Sequence, residues 1–349
     1  MNLLVKTLLA PGIMAQFTEV DWEQLIRFAR HARMIATLRE LVFAQGIENS
    51  LPELVAEVFE AERVRCAHLQ LQARRELREL ESAFQGAEYP LLLLKGTAYL
   101  AAELPPAAGR RFSDVDLLVA KEHLEDAEER LLDGDWQFEK GLTEYDENYY
   151  RNWAHEIPPL RHPVRMLEVD LHHNLTPHTS RIKLDPSSMI QNSVSVPGSK
   201  FRMLAPMDMF LHSATHLFFN DELRGGFRDL ADMHQLAMHF AADDMFWREL
   251  PHRAHELGLH RPLFYALSTC QRIMHTNVPQ TCQQAYEKFS PPLPVRALMA
   301  RLIDNTLASA SVNNLSSPIS QWLLYVRAKW VSMPPFMLSC HLLYKSLRT

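Results

Sequence analysis

The chain has 349 residues, of which 47% are hydrophobic and 22% charged. At roughly 100–200 residues per domain this excludes one small module, and the near-average composition excludes a chain disordered throughout. Its 36 basic and 42 acidic residues give a formal charge of −6, which argues against gripping nucleic acid by bulk positive charge and confines any polyanion site to a local patch.

The N-terminus reads MNLLVKTLLAPGIMAQ, with Lys6 between two short apolar clusters. It lacks the continuous apolar stretch of a secretory signal, so a cytoplasmic protein is expected. Cys66, Cys270, Cys282 and Cys340 form no CxxC pair, which fits reduced thiols rather than a zinc ribbon or a disulfide framework. Without export, the sequons at Asn174 and Asn314 are chance matches. From Asp21 to Gly46, Trp22, Leu25, Ile26, Ala29, Ile35, Leu38, Leu41 and Val42 recur at helical spacing and predict one or two helices. A long helix follows from about Pro52, a first-turn residue, to Gln85, with Gly86 as its stop. Its RRELRELES stretch reads most simply as a solvated face with internal ion pairs. Residues 1–86 thus form an N-terminal helical region.

At Tyr89 the pattern changes, and 87–200 reads as a core of strands and helices distinct from what precedes it. Tyr89–Leu94 is too short and apolar for a helix and suits a buried strand. A helix over Thr97–Leu104 ends at Pro105-Pro106, a connector leads to a strand over Phe112–Ala120, and Lys121–Leu132 is helical again. Trp136–Phe138 reads as a further strand, whereas Glu144–Pro159 gives no clear periodicity. Arg165–Asn174 alternates, with Leu167, Val169 and Leu171 on one face and Glu168, Asp170 and His172 on the other. Residues 201–349 read as a C-terminal helical domain, with amphipathic runs at Met207–Phe219, Arg228–Phe240, Phe246–Leu257 and Leu263–His275 and a last helical group after Pro294. The end from Gln321 carries Arg327, Lys329, Lys345 and Arg348 without an acidic residue. It suits packing onto the body, with a weak peripheral membrane contact as the alternative. No run of about 18 uncharged apolar residues predicts a membrane span.

The chemistry concentrates in Lys95-Gly96-Thr97, Asp114-Val115-Asp116 and Asp170. On a strand, residues i and i+2 share a face, so Asp114 and Asp116 project together. Two carboxylates about 4 Å apart repel by roughly 4 kcal/mol at an effective dielectric of about 20, a cost that a divalent cation offsets. Asp170 on the polar face of another strand makes a third oxygen donor, a set that suits Mg²⁺ or Mn²⁺. Gly96-Thr97, between a strand and a helix, allows a phosphate to approach the backbone closely.

This order of elements resembles the nucleotidyltransferase superfamily of DNA polymerase β. More narrowly, LLLLKGTAYLAAEL, GRRFSDVDLLV and EVDLHHNL resemble a bacterial nucleotidyltransferase family whose sequences read LKG-x-ALA, R-x-x-x-DIDLLV and VDLHW. The likeness continues through LHSATHLFFNDELRGGFRDLADMHQL and FWRELPHRAHELGLHRPLFYAL, covering about residues 20–275. It departs at Thr97 where Gly or Ser is usual, in a longer separation between Gly96 and Asp114, and at His173 in place of an aromatic. The resemblance implies an α+β fold in which a small mixed sheet with helices, the catalytic core over 87–200, is flanked by helical regions from both ends of the chain. It further implies transfer of an NMP group from a nucleoside triphosphate, ATP foremost, to a hydroxyl. Asp114, Asp116 and Asp170 would hold two ions, with Asp170 also accepting the hydroxyl's proton. Lys95, Gly96, Thr97, Arg110, Arg111 and His172 would serve the nucleotide.

Several residues have plainer readings. His212 and His216 sit four apart but lack the Glu of HExxH, and Arg228 with Asp232 reads most simply as a helical ion pair. No G-x-S-x-G, Walker A or G-x-G-x-x-G motif occurs, which leaves hydrolase, P-loop and dinucleotide readings unsupported. The acceptor is open between a small molecule, RNA and a protein. The alternatives are a toxin–antitoxin or defence-type transferase and a degenerate nucleotide-binding scaffold.

Overall fold

In the computed structural model, the described residues are 3–139, 141–165, 167–219, 223, 225–307 and 318–339. The N-terminal helices are α1 (Leu3–Leu9), α2 (Glu19–His31), α3 (Ile35–Ala44) and the long α4 (Glu53–Ala83). Next come β1 (Leu92–Leu93), α5 (Lys95–Ala101), β2 (Asp114–Leu118), α6 (Leu124–Asp133), β3 (Gln137–Phe138), α7 (Glu144–Asn152), β4 (Leu160–Arg161) and β5 (Glu168–His172). After α8 (Ser187–Gln191), β6 (Val194–Ser195) and β7 (Arg202–Met203), the chain is helical: α9 (Pro206–Phe219), α10 (Phe227–Phe240), α11 (Asp244–Glu256), α12 (His260–Met274), α13 (Gln280–Glu287), α14 (Leu293–Leu307) and α15 (Pro318–Ser332). This is an α+β protein whose mixed sheet runs β3-β4-β5-β2-β1-β7-β6.

The pairing of β2 with β5 positions the site. They run parallel with Val115 opposite Val169 and Leu117 opposite Leu171, all four fully buried. The alternate residues pair Asp114 with Glu168 and Asp116 with Asp170. A slip of either strand by one residue would turn its carboxylates into the apolar face, so burial of the valines and leucines specifies the register that aligns the carboxylates. The predicted strand over Tyr89–Leu94 contracts to Leu92–Leu93. Pro90 brings no N–H to a ladder, and Lys95 turns the chain at φ +46°.

One continuous apolar core runs from Leu4 through the sheet to Leu324 and includes residues of all three stretches of the chain. Within α4 the solvated reading of RRELRELES needs correction at Glu76, which is 1% exposed. It accepts hydrogen bonds from Trp136 Nε1 at 2.7 Å and Arg165 Nε at 2.6 Å, tying α4 to the entries of β3 and β5. Leu77 and Leu80 of the same stretch are also buried, because the 3.6-residue period carries them to the body. The unassigned Glu144–Pro159 region holds α7 and then an extended segment in which Glu156 bridges antiparallel to His172. Cys66, Cys270 and Cys282 are buried free thiols, while Cys340 lies outside the described residues, as does the sequon at Asn314. No helix among the described residues is long and apolar enough to cross a membrane.

Candidate active site

A cleft of about 510 Å³ opens over the polar face of β2 and β5, within the size range of small-ligand sites, about 300–1,000 Å³. Asp114, Asp116 and Asp170 line it together with Lys95, Gly96, Arg110 and Arg111. The three aspartates share one face and one cleft, but their oxygens do not all approach to within 4.8 Å of one another.

Their electrostatic conditions differ. Asp116, 3% exposed, meets Lys95 Nζ at 2.8 Å and His172 Nε2 at 3.1 Å. Burial alone would raise its pKa, but Lys95 and His172 outweigh that and hold its carboxyl below the usual range. The Asp170 side chain has no hydrogen bond or ion pair among the described residues, and burial, then the charges of Asp116 and Glu156, push its pKa up to about 8. Burial and Asp116 likewise raise Asp114. Negative charge on this face therefore exceeds its compensation, the condition in which a cation is bound most favourably. Glu168 is neutralised by an ion pair with Arg161.

The residues expected to serve a nucleotide are arranged unevenly. Lys95 carries a left-handed backbone, a conformation costing a non-glycine residue about 1–3 kcal/mol, as found at functional turns. Gly96 has an ordinary φ, but an added Cβ would stand 3.0 Å from Arg110 Nε, so the missing side chain makes room for that guanidinium. Thr97 is buried and its hydroxyl donates to Leu94 O at 3.3 Å, away from the cleft lining. Arg110 pairs with Asp232 and Arg111 with Glu62. The predicted Arg228–Asp232 helical pair does not form: Arg228 instead donates to Arg33 O, to Gly109 O at 3.3 Å and to Thr37 Oγ1 at 3.5 Å. Tertiary partners outcompete the i,i+4 neighbour because these groups are buried together and each needs a partner. Gly109 is held closely, since a Cβ there would lie 2.4 Å from Thr37 N and its φ is +65°.

The model of a family described as an uncharacterised nucleotidyltransferase matches residues 18–275. The chain belongs to this nucleotidyltransferase family. Comparisons with curated proteins and with solved structures found no match. Family membership supports nucleotidyl transfer in general and a triphosphate substrate.

Two residues of this nucleotidyltransferase's cleft escaped the sequence reading. His155 and Glu156 sit in the aperiodic stretch after α7, where nothing in the spacing marks them. The bridge to β5 brings Glu156 opposite His172 and sets Glu156 Oε2 3.2 Å from His172 Nδ1 and 3.8 Å from His155 Nε2. His172 is 3% exposed and does not line the cleft; it reaches the site through Asp116. Burial lowers its basicity, but Glu156 and Asp116 more than restore it. His173 stacks on His178 away from the cleft. His212 and His216 have ring centroids 6.4 Å apart, and burial keeps both imidazoles neutral, His212 down to about 3. At the C-terminal end Arg327 lies 4.5 Å over Phe219 and donates to Phe218 O, while Lys329 and Met333 line the cleft. Lys345 and Arg348 lie outside the described residues.

Proposed function

We propose that the protein transfers a nucleoside monophosphate from a triphosphate, ATP foremost, to a hydroxyl on an acceptor, with Mg²⁺ or Mn²⁺ in the cleft. The single observation that carries this reading is the β2–β5 register, which aligns Asp116 with Asp170 on the cleft face beside Asp114. Asp170, lacking a counter-charge, and Asp114, raised by burial and by Asp116, supply the oxygen donors, and Asp116 joins them from its seat on Lys95 and His172. Two ions held there would polarise the α-phosphate and lower the cost of charge on the attacking and leaving oxygens. The acceptor oxygen forms a bond to the α-phosphorus, the bond from that phosphorus to the bridging oxygen breaks, and pyrophosphate leaves with that electron pair. The hydroxyl proton passes to the Asp170 carboxylate. Lys95, Gly96, Arg110 and Arg111 flank the triphosphate, Thr97 contributes through its backbone, and His172 holds Asp116 in place.

A nucleotide-binding protein without turnover is the second reading, favoured by the commitment of Asp116 to Lys95 and His172. Incubation with radiolabelled triphosphates and a fractionated acceptor pool separates the two. Label transfer that disappears in the Asp114→Ala, Asp116→Ala double variant supports transfer; undiminished transfer in that variant eliminates it. Calorimetric triphosphate binding with no label transfer on any fraction supports the scaffold.

A further inference from the structure

We infer that His155, Glu156 and His172 form a second metal site for one borderline divalent cation of the Zn²⁺ class, separate from the three aspartates. Among the described residues this is the one group of three or more His, Cys, Asp or Glu whose ligand atoms all lie within 4.8 Å of one another. Glu156 Oε2 is 3.2 Å from His172 Nδ1 and 3.8 Å from His155 Nε2. Donors about 2.0–2.1 Å from a tetrahedral ion stand roughly 3.3–3.4 Å apart, so modest side-chain rotation closes the set.

The hydrogen bonding of His172 gives an independent reason. Its Nε2 faces Asp116 Oδ1 at 3.1 Å, and a carboxylate only accepts, so Nε2 carries the proton. Nδ1 then turns toward the Glu156 carboxylate while buried and without a formed hydrogen bond. A lone pair there would oppose another lone pair, so the gap holds either a second proton, in the metal-free state, or a cation that displaces it. Carboxylate, imidazole and metal in that order is the usual arrangement that orients a ligating histidine. His155 adds a second imidazole, whose Nδ1 is likewise buried without a hydrogen-bond partner. Two imidazoles and one carboxylate favour Zn²⁺ or Co²⁺ over Mg²⁺, which prefers oxygen donors. His155 and Glu156 line the cleft, so the remaining coordination position faces substrate. Lys95 is the nearby positive group opposing a cation, and it is spent on Asp116.

The test is optical and does not require turnover, so its failure is distinct from failure of the transfer reading. Chelator-treated full-length protein is titrated with Co²⁺ in excess Mg²⁺, followed by displacement with Zn²⁺. The expected result is one Co²⁺ per chain with the visible bands of a nitrogen-ligated, low-coordinate ion. His155→Ala and Glu156→Gln should each weaken it at least about tenfold, the lower range for losing even an outer partner, and Asp114→Asn should leave it in place. His155→Gln serves if the alanine variant melts early. Absence of Co²⁺ binding above Mg²⁺, binding that survives both His155 and Glu156 variants, or binding lost with Asp114→Asn would each overturn the proposal.

Discussion

Two sets of acidic groups are withdrawn from solvent, and they are treated oppositely. Where helices lean on the body, each acid has an arginine: Glu62 with Arg111, Glu76 with Arg165, Asp208 with Arg253 and Asp232 with Arg110. On the cleft face of β2 and β5, Asp116 is paired with Lys95 and Glu168 at the edge with Arg161, while Asp114 and Asp170 have no ion pair among the described residues. A compensated buried charge specifies how elements fit together, whereas an uncompensated one marks a place where a ligand must finish the electrostatics.

The sharpest way to break this contrast is Asp170→Asn. Transfer should fall by at least about a hundredfold, the scale of losing a principal electrostatic group. The metal-free protein should melt higher, by about 2 °C, because a poorly compensated carboxylate is gone. Label transfer and thermal denaturation in chelator check both halves, and a lower melting point would show that Asp170 is structural after all. The opposite outcome is expected of Glu76→Ala, which leaves Arg165 and Trp136 Nε1 without their shared acceptor. Urea denaturation should show a loss of about 3 kcal/mol, the range for breaking a buried pair.

Of what could be read from the residues alone, Asp114, Asp116 and Asp170 were legible because a two-residue alternation places them on a face regardless of distant partners. The helical halves were legible from a 3.6-residue apolar period. Arg228, Asp232 and Glu76 were misread as local or solvated pairs, because their partners lie far away in sequence: 122 residues separate Arg110 from Asp232. His155 and Glu156 were missed because their placement depends on a bridge to β5.

A smaller effect sharpens the comparison through pH. Asp170 titrates near 8 when folded against an ordinary 3.8, so the folded state binds more protons than the unfolded across that interval and loses stability as pH rises toward 8. Raised Asp114 has the same sign. A bound divalent cation removes this penalty, so the gain in melting temperature from Mn²⁺ over chelator should grow between about pH 6 and about pH 8.5. A gain that shrinks over this range would place the ion elsewhere. Smallest of all is Glu60→Gln, which breaks an exposed i,i+3 pair with Arg63 and should leave the melting curve unchanged.

From its order of residues alone, this chain determined where strands alternate, which aspartates share a face and which stretches must be helical, since those follow from fixed periods of the backbone. Tertiary structure decided which charges are answered. That choice required α4 and α10 to meet the connector before β2, and the segment after α7 to meet β5, and Coulomb interaction between side chains depends on distance in space, whatever their separation along the chain.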